Sequence, residues 1–111
     1  MPDGVDDKFY ERADAHTHLS NEQLGEIDRV RASSSMMYAT ARFNAWVSAR
    51  GFGTKEEMAA SREETIDYFL SEYRLMLEEN FEDYVENFAK YMFDAEGVQV
   101  IRDAFAQGEL L

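Results

Sequence analysis

One apolar stripe dominates the chain. From Met58 it continues through Ile66, Phe69, Tyr73, Leu77, Phe81, Tyr84 and Phe88 to Met92, at the three-and-four spacing of an amphipathic helix. Thr54-Lys55-Glu56-Glu57 opens it as a capping box, with the threonine hydroxyl and the Glu57 carboxylate each placed to satisfy an orphan backbone N–H. As one helix, residues 54–93 would be about 60 Å long. A compact domain of 111 residues has a radius of gyration of only about 13 Å. Either the helix breaks, or its end is covered by a second chain. Asn80 is the expected break, because it can cap a new helix at Phe81 with Asp83 at the third position. The crowding of Phe81, Tyr84, Phe88, Tyr91 and Phe93 exceeds what one short helix needs within its own chain and points to a homodimer.

The remaining periodicity is also helical. A first helix is expected from about Asp6 to about Gly25, capped by Asp6 or Asp7, with a break allowed at Ser20 or Asn21. A second is expected from about Ser33 to Arg50, with Ser33-Ser34-Ser35 as its capping region and Gly51 as its stop. Met36, Phe43, Trp46 and a run of alanines leave this second helix apolar or small on every side, the mark of a central, buried helix. Asp94 can cap a short last helix that carries Val98, Ile101 and Phe105 and docks on the body or on a partner subunit. No segment alternates long enough to be a strand. The expected fold is an all-α single domain over residues 1–111: a small bundle of three long helices, the third kinked near Asn80, plus a short C-terminal helix, with residues 1–5 disordered.

Charge narrows the partners. The chain carries 23 acids against 11 bases, a net of −12. This disfavours nucleic-acid phosphates and anionic membrane surfaces. The charge is also segregated. Residues 29–53 contain Arg29, Arg31, Arg42 and Arg50 and no acid, between two strongly acidic segments. Those arginines either reach carboxylates on neighbouring helices or form an exposed strip for an anionic ligand. The acidic start lacks the basic end and apolar run of a signal peptide. No window approaches the roughly 20 apolar residues of a membrane span. With zero cysteines there is no disulfide scaffold, thiolate metal site or cysteine nucleophile, and a cytoplasmic setting fits.

Catalytic motifs are missing from the sequence. His16 and His18 have Ala13 and Ala15 three residues earlier, not the glutamates of a di-iron helical site. They stand about 200° apart on a helix and cannot share an ion in that conformation. Glu82, Asp83 and Glu86 fit a solvated face better than a cation site. No metal and no cofactor are expected. A nucleophile elbow and a phosphate loop are absent. Met36, Met37, Met58, Met76 and Met92 read as core filler. The most site-like cluster is Tyr38, Arg42, Asn44 and Trp46 on the second helix. Arg42 either pairs with Glu11 or Asp14 inside the fold, or holds a small carboxylate or phosphate beside an aromatic wall.

Four segments carry a family resemblance: Phe9-Tyr10-Glu11-Arg12-Ala13-Asp14, Met37-Tyr38-Ala39-Thr40-Ala41-Arg42-Phe43-Asn44-Ala45, Tyr73-Arg74-Leu75-Met76-Leu77-Glu78-Glu79-Asn80, and Asp83-Tyr84-Val85-Glu86-Asn87-Phe88. In combination, over about residues 8–92, they resemble a family of short proteobacterial proteins filed as a domain of unknown function. The resemblance implies a small soluble bacterial protein and carries over no chemistry. Three functional classes follow. The first is a non-enzymatic, homo-oligomeric interaction or adaptor protein. The second is a small-anion binder or enzyme with a pocket around Arg42, Asn44, Trp46 and Tyr38. The third is an acidic mimic of nucleic acid for a basic partner.

Overall fold

The computed structural model describes residues 5–93. The expected disorder at the extreme N-terminus and the expected helix over 94–107 fall outside them, apart from Val5. Five helices occupy the described residues: α1 Phe9–Gln23, α2 Arg29–Ala49, α3 Lys55–Ala60, α4 Arg62–Glu86 and α5 Phe88–Met92. No strand occurs among these residues.

Each helix end has a local cause. At the first, the helix starts at Phe9 with Lys8 at its N-cap, about a turn later than the expected start at Asp6, so neither Asp6 nor Asp7 is the cap. The Asp6 carboxylate accepts the Lys8 N–H at 2.9 Å and its carbonyl accepts the Phe9 N–H at 3.1 Å, so a turn precedes the helix. Asp6 also accepts from the Arg12 guanidinium at 2.7 Å. α1 shows no break at Ser20 or Asn21 and ends at Gln23. The second helix begins a turn earlier than expected. Asp28 is the cap, accepting the Arg31 N–H at 2.8 Å, and Ser33, Ser34 and Ser35 lie inside the helix rather than before it. A carboxylate placed at the positive end of the helix outcompetes three hydroxyls a turn later. α2 stops at Gly51, where a Cβ would sit 3.3 Å from the Ser48 carbonyl.

The capping box at Thr54 forms. Its hydroxyl accepts the Glu57 N–H at 3.2 Å, while the Glu57 carboxylate reaches past the cap to the Gly53 N–H at 3.0 Å. The long third helix is nevertheless divided elsewhere than at Asn80. Ser61 ends α3, with its hydroxyl donating to the Met58 carbonyl at 2.8 Å. Asn87 separates α4 from α5, with its amide donating to the Asp83 carbonyl and carboxylate at 3.1 and 2.9 Å. α4 passes unbroken through Asn80, whose side-chain amide donates back to the Met76 carbonyl at 2.8 Å. Asn80 therefore supports the preceding turn instead of capping a following one.

The described residues divide into two compact units, 5–72 and 73–93, with the boundary inside α4. In the first, α1 and α2 are in contact, and Ala32 is buried at 4% exposure. Phe9, Ile27, Met36, Phe52, Met58 and Phe69 are half-buried. In the second, Met76 and Met92 are half-buried. The Tyr84 and Tyr91 rings lie 4.9 Å apart, and the Tyr91 hydroxyl donates to the Asp83 carboxylate at 3.1 Å. Ala32 is the single buried residue among those described. The expectation of a central, covered α2 is thereby corrected: Met37, Tyr38, Phe43, Trp46 and Val47 are exposed. Burial needs a neighbouring helix face, and among the described residues Ala32 is the one position of α2 that is closed by one.

The Asp6–Arg12 pair gives a pH signature. The Arg12 hydrogen bond, with the Lys8 N–H, lowers the Asp6 pKa below the usual aspartate value, and Asp6 raises that of Arg12. A depressed carboxylate contributes stability above its unfolded pKa and loses it as pH falls through the folded one. An NMR titration should therefore place the Asp6 midpoint below the ordinary range. Arg12→Ala should move it back up; an unmoved midpoint would show that the pair does not form in solution.

Candidate interaction surface

α2 turns a mixed aromatic and cationic ridge outward. Tyr38, Arg42, Trp46 and Arg50 follow one another at four-residue steps, so they share a side of the helix. Tyr38 is 65% exposed and Trp46 58%. The Arg42 guanidinium lies 4.9 Å from the Tyr38 ring centre, and that of Arg50 lies 6.0 Å from Trp46. Phe43 adds a ring 5.7 Å from Trp46. Such contacts are worth about 0.5–1 kcal/mol each where exposed. They align the cations over the rings and leave the guanidinium edges open to an acceptor. Arg42 and Arg50 have no carboxylate partner among the described residues, whereas Arg31 pairs with its own cap Asp28 at 3.8 Å. Neither Glu11 nor Asp14 receives Arg42.

Of the four candidate residues, Tyr38, Arg42 and Trp46 thus come together. Asn44 stands about 200° around the helix from Arg42; it is half-buried, and its carbonyl accepts the Ser48 hydroxyl at 2.8 Å. Arg50, placed by the sequence in the acid-free arginine segment but not in the Tyr38, Arg42, Asn44 and Trp46 cluster, joins the ridge. Its place four residues after Trp46, repeating the step from Tyr38 to Arg42, is the signal that marks it.

The second unit presents two neighbouring ridges on α4. One is apolar: Tyr73, Leu77, Phe81 and Val85, all exposed, with Phe81 at 67%. The other, one residue on, is Arg74, Glu78, Glu82 and Glu86. Arg74 pairs with Glu78 at 2.6 Å, while Glu82 has no cationic partner among the described residues. Glu78, Glu79, Glu82, Asp83 and Glu86, with Leu75 and Asn80, also line an open concavity. Asp83 is engaged by Tyr91, and this hydrogen bond raises the Tyr91 pKa by holding the phenol neutral.

Nothing on these surfaces assembles a nucleophile with a base. His18 pairs with Glu22 at 3.1 Å along α1. Among the described residues, no group of three or more His, Asp or Glu side chains is arranged to hold a metal ion, and no helix is long and apolar enough to cross a membrane.

Comparison with known proteins places the chain without assigning it a chemistry. A family model described as a protein of unknown function, DUF3144, matches residues 9–85. A solved structure, the NMR structure of the protein NB7890A from Shewanella sp., is similar at a TM-score of 0.68 and 43% sequence identity, over 78% of this chain and 93% of that one. No curated protein matches. The family match takes in α1 to α3 and nearly all of α4, and hence both ridges apart from the last residue of the acidic one. On that extent the chain belongs to the family of unknown function DUF3144.

Proposed function

We propose that the protein acts as a non-enzymatic homo-oligomer, a helical interaction module whose core is completed by a second copy. One observation carries this reading: among the described residues, Ala32 alone is buried, while Tyr38, Phe43, Trp46, Leu77 and Phe81 stay exposed. Water-exposed apolar surface on this scale marks an association face. Burying it returns roughly 25 cal/mol per Å². Small helical chains gain their stability from packed faces rather than from helix propensity. Native mass spectrometry, with light scattering at about 10–100 µM, tests the proposal. A doubled or higher multiple mass is expected. A monomer at every concentration overturns it.

A second reading, a small-anion binder, is favoured by Arg42, which has no carboxylate partner among the described residues. Arg42→Leu separates it from the first. Loss of affinity for phosphate or a small carboxylate, with the assembly intact, would favour the binder.

A further inference from the structure

We propose that the Tyr38–Arg42–Trp46–Arg50 face of α2 docks on the Tyr73–Leu77–Phe81–Val85 ridge of α4 in a second copy of this chain. This pairing rests on the self-association proposed above and names the surfaces that perform it.

Charge identifies the occupant. Residues 29–53 hold four arginines and no acid, a net of +4. Residues 73–86 hold five acids and one arginine, a net of −4. Arg42 and Arg50 have no carboxylate among the described residues, and Glu82 has no cation. Among the described residues the α2 face therefore carries guanidinium groups without a carboxylate, and the α4 face carries at Glu82 a carboxylate without a cation. Because one chain carries both faces, two copies can satisfy each other reciprocally, as a two-fold assembly requires. An unrelated acidic protein would meet α2 but leave the α4 ridge uncovered.

Shape agrees with charge. Beside the arginine ridge of α2 runs a groove of small residues, Ala41, Ala45 and Ala49, all exposed. A four-residue ridge such as that of α4 packs into a groove of this kind. It brings its flanking Glu78 and Glu82 alongside the arginines, where guanidinium and carboxylate pair in parallel hydrogen bonds. The area suffices as well. Tyr38, Trp46 and Phe81 are more than half exposed and Tyr73 is 49% exposed, which leaves on the order of 100 Å² apiece of the 150–250 Å² an aromatic side chain can bury. With Leu77, Val85 and the arginine and glutamate stems this approaches the roughly 800 Å² per partner of a stable interface.

Two double variants and their mixture test the pairing. Arg42→Glu with Arg50→Glu places acid against acid; Glu78→Arg with Glu82→Arg places base against base. Each alone should raise the dimer dissociation constant at least tenfold in sedimentation equilibrium. Mixed in equal amounts they should form a heterodimer of near wild-type affinity, because both contacts are then complementary. Circular dichroism checks that each remains helical. The unsubstituted protein supplies an independent readout. Its dissociation constant should rise about tenfold between 50 and 500 mM NaCl as screening shortens, and the emission of Trp46, the only tryptophan, should shift to the red on dissociation.

The outcomes separate. A wild-type monomer removes the self-association reading, and the pairing with it. A wild-type dimer that both variants leave unchanged, or that ignores salt, keeps self-association and overturns this interface. Variants that dissociate but fail to recombine in the mixture show that the two faces pair within one chain, which also overturns it.

Discussion

Phe81→Glu is expected to leave the helices formed and to break the assembly. In the protomer the Phe81 side chain is 67% exposed, so a carboxylate there meets water and costs little. Glutamate is also the better helix former of the two. Far-ultraviolet circular dichroism of the diluted protein should therefore match the wild type. Against a partner the same carboxylate would be buried without a cation, a change that costs about 3–5 kcal/mol. At about 1.4 kcal/mol per tenfold, the dissociation constant should rise by at least ~100-fold. Leu75→Glu is the control. Leu75 is comparably exposed, at 61%, but stands about 160° around α4 from Leu77, among the acidic side chains. It should change the dissociation constant little. Equal effects at the two positions would show that association does not use the Tyr73–Phe81 ridge.

Ala32→Leu should produce the largest loss of stability of any alanine-to-leucine change in α2. Ala32 is 4% exposed, and α2 is in contact with α1. Three added carbons at a closed contact force side-chain or backbone shifts that cost about 1–3 kcal/mol. For a domain of this size each kcal/mol lowers the melting temperature by about 4–8 °C. Ala15→Leu adds the same atoms at an exposed position of α1 and should stay within about 0.5 kcal/mol of the wild type. Thermal melts at one fixed protein concentration, well above the dissociation constant, measure both. An Ala32→Leu protein that melts with the wild type would show that the α1–α2 contact is loose.

The helical character and several of its boundaries were legible because their causes are local. Thr54 and Glu57 lie three residues apart, and the capping box they form needs nothing beyond its own turn. Gly51 ends α2 as expected. The acids that flank the arginine segment are likewise counted directly from the chain. Asn80 was misread for a related reason. An asparagine can bond forward as a cap or back to the carbonyl four residues earlier, and the local sequence permits both. Ser33, Ser34 and Ser35 offered three plausible caps, while Asp28, five residues earlier, supplied the actual one. At the candidate surface, Tyr38, Arg42 and Trp46 were legible as polar and aromatic side chains on an otherwise apolar helix, and their four-residue steps bring them to one side of it. Asn44 was grouped with them by nearness in sequence, although two residues along a helix point to nearly opposite sides.

Local sequence is enough to establish that the described chain is helical, that Thr54 caps α3 and Gly51 stops α2, and that an acid-free arginine segment lies between acidic ones. These features depend on contacts within about one helical turn or on composition alone. Long-range packing alone settles that α2 is not a covered central helix. It also decided that Ala32 is the buried point of α2, that Arg42 lies over Tyr38 rather than on Glu11 or Asp14, and that the Phe81 ridge stays open. Those outcomes depend on which face meets a neighbour distant in sequence. The all-round apolar pattern of α2 gives every face a similar claim to that neighbour.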